Sequence, residues 1–456
     1  MKRLFRTTVL LTVAVSIGLP VLPGWADSEP LWTQVETTVD PEQSFFGVEF
    51  DDLALNERNG TVFVQGTTAT GSDIAGYTAA GARLGTRPSV GNDPVNDALV
   101  GSGLDIDSAA GTLFSLAGDH SDGTDEIVLT AYGEAGPALW TSRYSGPGGG
   151  GAAPVDVAVD SQRRVVYVAG FTTGATSVPV LLAYAYDGTL LRERRGTSPS
   201  PSSSVRATSL AIDPDSGRVF VAGTITGTGG SSRIVVYGYS PGGRLLWTAT
   251  PPGGAEAIDL AVDEQTGTVV VTGQAGPGVR GDALTVAYTS DGQLQWQSRY
   301  GGDGAQVPAA LAVDPVTSDV YVSGFQAPLG QRADTFTLAY AADGQQRWVR
   351  SFDGVGGEDA AQDVAVDGRR GIVYATGFSD LKPADNVPYE FLLLAYDRDG
   401  QVLDTTIFDE SRSRRSDAVA VVVEERSGRV VISGTSLGEQ GYGPGSLRTV
   451  AYPPAA

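Results

Sequence analysis

The chain is written in short apolar runs, each closed by a turn signal. The plainest stretch starts at Asp259-Leu260-Ala261-Val262-Asp263 and passes through Glu264-Gln265-Thr266-Gly267 into Thr268 to Gly273. A Gly-rich connection, Gln274 to Gly281, leads to Asp282-Ala283-Leu284-Thr285-Val286-Ala287-Tyr288. The turn Thr289-Ser290-Asp291-Gly292 and a last run, Gln293 to Tyr300, complete it. Runs this short, rich in β-branched and aromatic residues and bounded by Thr-Gly and Asp-Gly, predict four strands joined by tight hairpins. Several are apolar throughout, which suits strands covered on both faces.

The stretch recurs. A run ending in Gly returns at Gly66, Gly118, Gly170, Gly223, Gly273, Gly324, Gly377 and Gly434, at spacings of 52, 52, 53, 50, 51, 53 and 57 residues. A Tyr follows each, at Tyr77, Tyr132, Tyr184, Tyr239, Tyr288, Tyr340, Tyr396 and Tyr452. Eight copies at this period predict an all-β fold, a single eight-bladed β-propeller of four-stranded antiparallel blades. The first strand is LAVD-like, with a small residue suited to a crowded innermost position. The fourth carries Trp140, Trp247, Trp296 or Trp348 four residues after its turn Gly, whereas Gly85, Arg192 and Asp404 stand there in copies one, three and seven. The eighth copy stops after Tyr452, and Leu31-Trp32-Thr33-Gln34 resembles Leu294 to Gln297. The N-terminal segment, residues 27–42, is therefore expected to supply the missing strand and remove an open sheet edge.

Before it, Lys2, Arg3 and Arg6 precede an apolar stretch from Val9 to Leu22 and the small-residue signal Gly24-Trp25-Ala26. This predicts a secretory signal over residues 1–26, a mature propeller over 27–456 with no transmembrane anchor, and a secreted, periplasmic or extracellular location. The formal charge is -22, and residues 1–26 hold three cations and no acids, which leaves -25 on the remainder. Such a surface disfavours nucleic acid and anionic membranes and leaves cations as ligands. With no cysteine in the chain, disulfides and thiol catalysis are excluded. A monomer is expected.

The fifth copy, with upstream A-V-D and V-V-V-T-G and then D-x-x-T-V-A-Y-x-x-D-G-x-x-x-W-x-x-R-Y-x-G, resembles the bacterial β-propeller repeats called SBBP. The resemblance covers nearly all of residues 27–456, most clearly copies two, five, six and seven. It implies an exported bacterial propeller and carries over no catalytic residue. A weaker similarity to quinoprotein propellers lies in the Trp that follows a Gly turn, as in Gly292 to Trp296, and extends only to packing residues.

Three sets of residues are chemistry candidates. His120, the only histidine, sits among Asp119, Asp122, Asp125 and Glu126. Asp52, Asp156, Asp259 and Asp363 open the first strand in odd copies, where even copies have Gly103, Ser209, Ala310 and Ala420. Converging near the channel mouth, these four acids would hold calcium; alternatively each caps backbone amides at its own strand start. The third set is Arg143, Tyr144, Arg299, Tyr300, Asp282 and Asp334. They lie where the variable connections between second and third strands gather, the place for ligand contact on a rigid scaffold. Salt bridges among them are the structural alternative. No nucleophile–base pair is visible, so the reading is a non-catalytic binding or scaffold propeller for a protein or carbohydrate ligand. The alternative is an extracytoplasmic enzyme, either a polysaccharide lyase or hydrolase or a quinone-dependent dehydrogenase.

Overall fold

The computed structural model describes residues 29–37, 49–68, 71–88, 103–197, 200, 202–276, 280–380, 389–408, 415–437 and 446–455. The signal expected over residues 1–26, the rest of the closing segment and parts of several variable connections lie outside them. Each predicted unit is a four-stranded antiparallel sheet with strands a to d in sequential order, and eight such blades form the propeller. Blades seven and eight are also joined by a single parallel bridge between Tyr389 and Arg415. The closing strand is Trp32–Thr37. It pairs antiparallel with Ser446–Tyr452, from Trp32 opposite Ala451 to Thr37 opposite Ser446, and so becomes strand d of blade eight.

The core lies between blades. Each hydrophobic cluster draws on two neighbours: Ile127, Leu129, Val166 and Leu182 join blades two and three, and Val431, Leu447, Val62 and Tyr77 join blades eight and one. All eight repeat tyrosines are buried at these seams. The docking tryptophans work at the outer end. Trp32, Trp140, Trp247, Trp296 and Trp348 donate Nε1–H to Ala79, Tyr186, Ser290, Ala342 and Arg398 of the next blade, at 2.7 to 3.1 Å. The ring of each lies against the next turn glycine, for example Trp296 on Gly344. Two blades without Trp use arginine two positions later. Arg194 donates to the Gly243 carbonyl at 2.8 Å, and Arg87 reaches the Glu134 carbonyl.

The landmark glycine has a steric cause. In seven blades strand a carries a bulge one residue before its Asp or small residue, such as Gln362 between Ala361 and Asp363. The bulge turns a carbonyl toward strand b, and a Cβ at Gly377 would overlap the Ala360 oxygen, as one at Gly434 would overlap Asp417. Blade two corrects the sequence alignment: Leu113 faces Tyr132 and Gly103 faces Leu116, so Ala117 holds the landmark position and Gly118 lies one residue on. Its described strand a begins at Gly103, after the point where other blades bulge. Gly377→Ala is expected to destabilise the fold by about 2–3 kcal/mol. A urea midpoint equal to that of the wild type would refute the steric account.

Candidate functional site

The two rims differ in construction. On one, the a–b turns close with an N–H to C=O bond four residues back, as in Gly217 to Asp213 at 2.7 Å and Gly371 to Asp367 at 2.7 Å. The residue donating that N–H has positive φ, and it is Gly almost everywhere; Ser318, at φ 60°, is an exception. The leading Asp is buried and accepts turn amides, as Asp107 does from Ala109 and Ala110 at 2.9 Å. Arginines then lace blade to blade. Arg163 binds Asp160 and the Asp215 carbonyl, and Arg370 binds Asp367 and the Ser427 carbonyl. This rim is short and uniform, and many of its polar groups are spent on turn and blade-to-blade bonds.

The other rim carries the b–c connections and the d–a crossings, which hydrogen-bond to each other. Ala152 N–H donates to the Asp125 carbonyl, Gln306 N–H to Gly281 and Asp359 N–H to Ala333. The long connections Phe378 to Tyr389 and Thr435 to Ser446 belong here, and most of their residues lie outside the described set. All six ligand candidates are on this rim. Arg143 sits between Asp119 at 2.5 Å and Glu126 at 2.8 Å. Tyr144 is buried at the seam with blade three, where burial first and the Glu193 carboxylate second push its hydroxyl pKa up. Arg299 reaches Asp282 at 3.3 Å and is half-exposed. Tyr300 donates to Gln326 Oε1 at 2.8 Å and packs on Phe336. Asp334 does not join them. It stands with Asp353 and Asp359, an oxygen of each within 4.8 Å of the others. Of the six, Arg299 and Asp282 pair with each other, Arg143 pairs with Asp119 and Glu126, and Asp334 faces only other acids, so they fall in separate groups around the rim.

His120 is likewise absorbed. Its Nδ1 lies 2.7 Å from Asp125 Oδ1, while Asp119 and Asp122 accept the Ser121 and Thr124 amides.

The odd-blade acids line the channel. Asp52 accepts N–H from Leu53 at 2.7 Å and from Leu104 of the next blade at 2.6 Å. Asp156 accepts from Val157 and Leu210, Asp259 from Leu260 and Leu311, and Asp363 from Val364 and Val421. Each is a clasp between strands a of adjacent blades. Asp105 makes the same clasp from blade two, to Ile106 and Val159, two residues beyond the aligned position. A calcium ion at the four expected acids would compete with these amides. No three of them have oxygens mutually within 4.8 Å, a grouping that among the described residues occurs only at Asp334, Asp353 and Asp359. The carboxylates keep some contact with channel solvent, yet protein surrounds them. Burial, above all, pushes Asp52 and Asp363 to about 7 and Asp156 to about 8. Repulsion from facing acids, such as Asp52 on Asp156, adds to it.

No protein-family model matches the chain, and no curated protein matches it. The fold is similar to that of Sqt1 from Chaetomium thermophilum, at 10% identity over 94% of this chain and 99% of that one, with a TM-score of 0.54. The periplasmic gluconolactonase PpgL of Pseudomonas aeruginosa has 15% identity over 89% of this chain and 100% of that one, with a TM-score of 0.49. At 10% identity the likeness to Sqt1 is one of fold. The Trp spacing shared with quinoprotein propellers is, here, inter-blade docking. Among the described residues no helix is long and apolar enough to cross a membrane.

Proposed function

We propose that the protein is an exported, non-catalytic β-propeller of the SBBP type that binds a protein or carbohydrate ligand through its loop rim. The supporting observation is the contrast between the rims. The turn rim spends its polar groups on blade-to-blade bonds, whereas the loop rim gathers the variable connections and exposes Arg299 and Arg143 beside acids. Variable loops on a rigid ring are where recognition sits. Export rests on the charged, apolar and small-residue pattern of residues 1–26.

The test is a thermal-shift and calorimetric screen of oligosaccharides and peptides against the mature chain. The double variant Arg299→Ala, Tyr300→Phe is expected to weaken a found ligand at least tenfold. Its melting temperature should stay near the wild-type value, because an exposed ion pair contributes only about 0–1 kcal/mol. Binding confined to the turn rim would overturn the reading. A second reading, a cation-assisted polysaccharide lyase, draws on the three-carboxylate cluster at Asp334, Asp353 and Asp359. Turnover of an acidic polysaccharide, abolished in Asp353→Asn, would establish that reading in place of the first.

A further inference from the structure

On the loop rim, the acid opening strand c meets an arginine of strand d. Glu126 has Arg143 at 2.8 Å, and Asp282 has Arg299 at 3.3 Å. The registers match: Arg143 faces Val128 and Arg299 faces Leu284, each two residues after the acid. In blade six the acid is Asp334, and the residue facing Phe336, two positions on, is Ser351. The arginine is missing from its place. A carboxylate oxygen of Asp334 instead lies within 4.8 Å of one from Asp353, in the crossing after strand d, and one from Asp359, which opens strand a of blade seven.

A second observation concerns Asp359, which is fully buried. Its Oδ2 accepts the Gly354 N–H at 3.0 Å, while its Oδ1 is buried without a hydrogen-bond partner. The Ser379 hydroxyl is near enough to hold the Asp359 pKa down, yet it too is buried without a well-formed hydrogen bond. Burial first, and then the charges of Asp353 and Asp334 working against the Ser379 and Gly354 donors, leave Asp359 at about 6. A buried carboxylate with one oxygen lacking a donor, set beside two further carboxylates, is costly. A cation removes the cost. Oxygens on opposite sides of a calcium ion, each about 2.4 Å from it, are about 4.8 Å apart.

We propose that Asp334, Asp353 and Asp359 hold a calcium ion at the seam of blades six and seven, with Ser379 Oγ as a further oxygen and water completing the shell. The Gly-rich crossing Asp353-Gly354-Val355-Gly356-Gly357 suits calcium, which accepts irregular oxygen geometry, better than magnesium, which demands a near-ideal octahedron. The ion would pin strand c of one blade to strand a of the next, where blades two and five use an arginine within one blade. The site stands whether or not the rim takes a second ligand.

The experiment is calorimetric titration of the chelator-treated mature chain with calcium chloride, paired with melts. One site is expected, with Kd on the order of 10⁻⁴ M, typical of extracellular modules, together with a melting temperature raised by calcium. Asp353→Asn can keep the bond from Gly356 N–H at 2.8 Å through its amide oxygen and should weaken calcium at least tenfold. Ser351→Arg restores the residue that blades two and five carry. It should abolish the calcium response while melting at or above the wild type without calcium. Asp291→Asn, on the opposite rim, should bind as wild type. No saturable heat up to about 10 mM calcium, or wild-type affinity in both Asp353→Asn and Ser351→Arg, would overturn the proposal. Magnesium binding as tight as calcium would overturn the choice of ion.

Discussion

Deleting residues 27–36 is expected to lower the melting temperature of the whole ring and broaden its transition. The segment closes blade eight through its register with Ser446–Tyr452 and docks on blade one. Trp32 Nε1–H donates to the Ala79 carbonyl at 3.1 Å, and Gln34 donates to the Gly81 carbonyl at 2.9 Å. Glu36 receives both the Tyr77 hydroxyl at 2.7 Å and the Arg83 guanidinium at 2.6 Å. Removal opens an unpaired edge on strand Ser446–Tyr452 and strands the buried Tyr77 hydroxyl. Trp32→Ala alone should cost about 2–4 kcal/mol, below the range for a fully buried Trp because this side chain is only partly buried. Adding a peptide of residues 27–37 should return much of the lost melting temperature. A deletion variant that melts as wild type would refute closure by this strand.

This closure was legible because the eighth repeat ends one strand short and the missing Leu-Trp pattern stands at the start. The landmark Tyr and Trp were legible for the same reason: one packing role repeats at a fixed place. What the repeat hid were exchanges between residue types and shifts of position. Arg87 and Arg194 replace a docking Trp from two residues further on, so no aligned column shows them. Asp105 clasps like Asp156 but is displaced by two, on the strand that lacks the described bulge. Blade two put the landmark Gly one residue out of line, since Ala117 is tolerated where no described carbonyl crowds it. The carboxylate cluster combines three elements from two blades. Its only trace in the sequence is Ser351 where Arg143 and Arg299 stand elsewhere, and that absence has meaning only once strand register shows which acid the arginine serves. The rim residues share one face of the ring but fall in separate groups: Arg143 with Asp119 and Glu126, Arg299 with Asp282, and Asp334 with two further acids.

The channel clasps make the second large prediction, one of pH. Asp52, Asp156 and Asp363 have folded pKa values of about 7, 8 and 7, above the ordinary carboxylate value, because burial disfavours their charge. The native state therefore binds protons that the unfolded chain has released. With the native form holding more protons, stability falls as pH rises, from near 4 up to the folded pKa values. Below that window both states are protonated and the difference vanishes; above it the full cost of the buried charge is present. Asp119 runs the other way, since the Ser121 amide and Arg143 outweigh its burial and lower its pKa, so the total slope mixes signs. A variant isolates the clasp. Asp156→Asn cannot titrate, keeps one acceptor for the Val157 or Leu210 amide, and sets an NH₂ against the other. It should lose about 1–2 kcal/mol near pH 5 for that one bond. Between pH 5 and 8 its stability should fall less steeply than the wild type's, by up to about 1.4 kcal/mol per pH unit for one proton. Urea midpoints at several pH values measure both. Parallel pH curves for wild type and Asp156→Asn would mean that the channel acids stay ionised throughout, and the five clasps would then act as fixed hydrogen bonds with no share in the pH response.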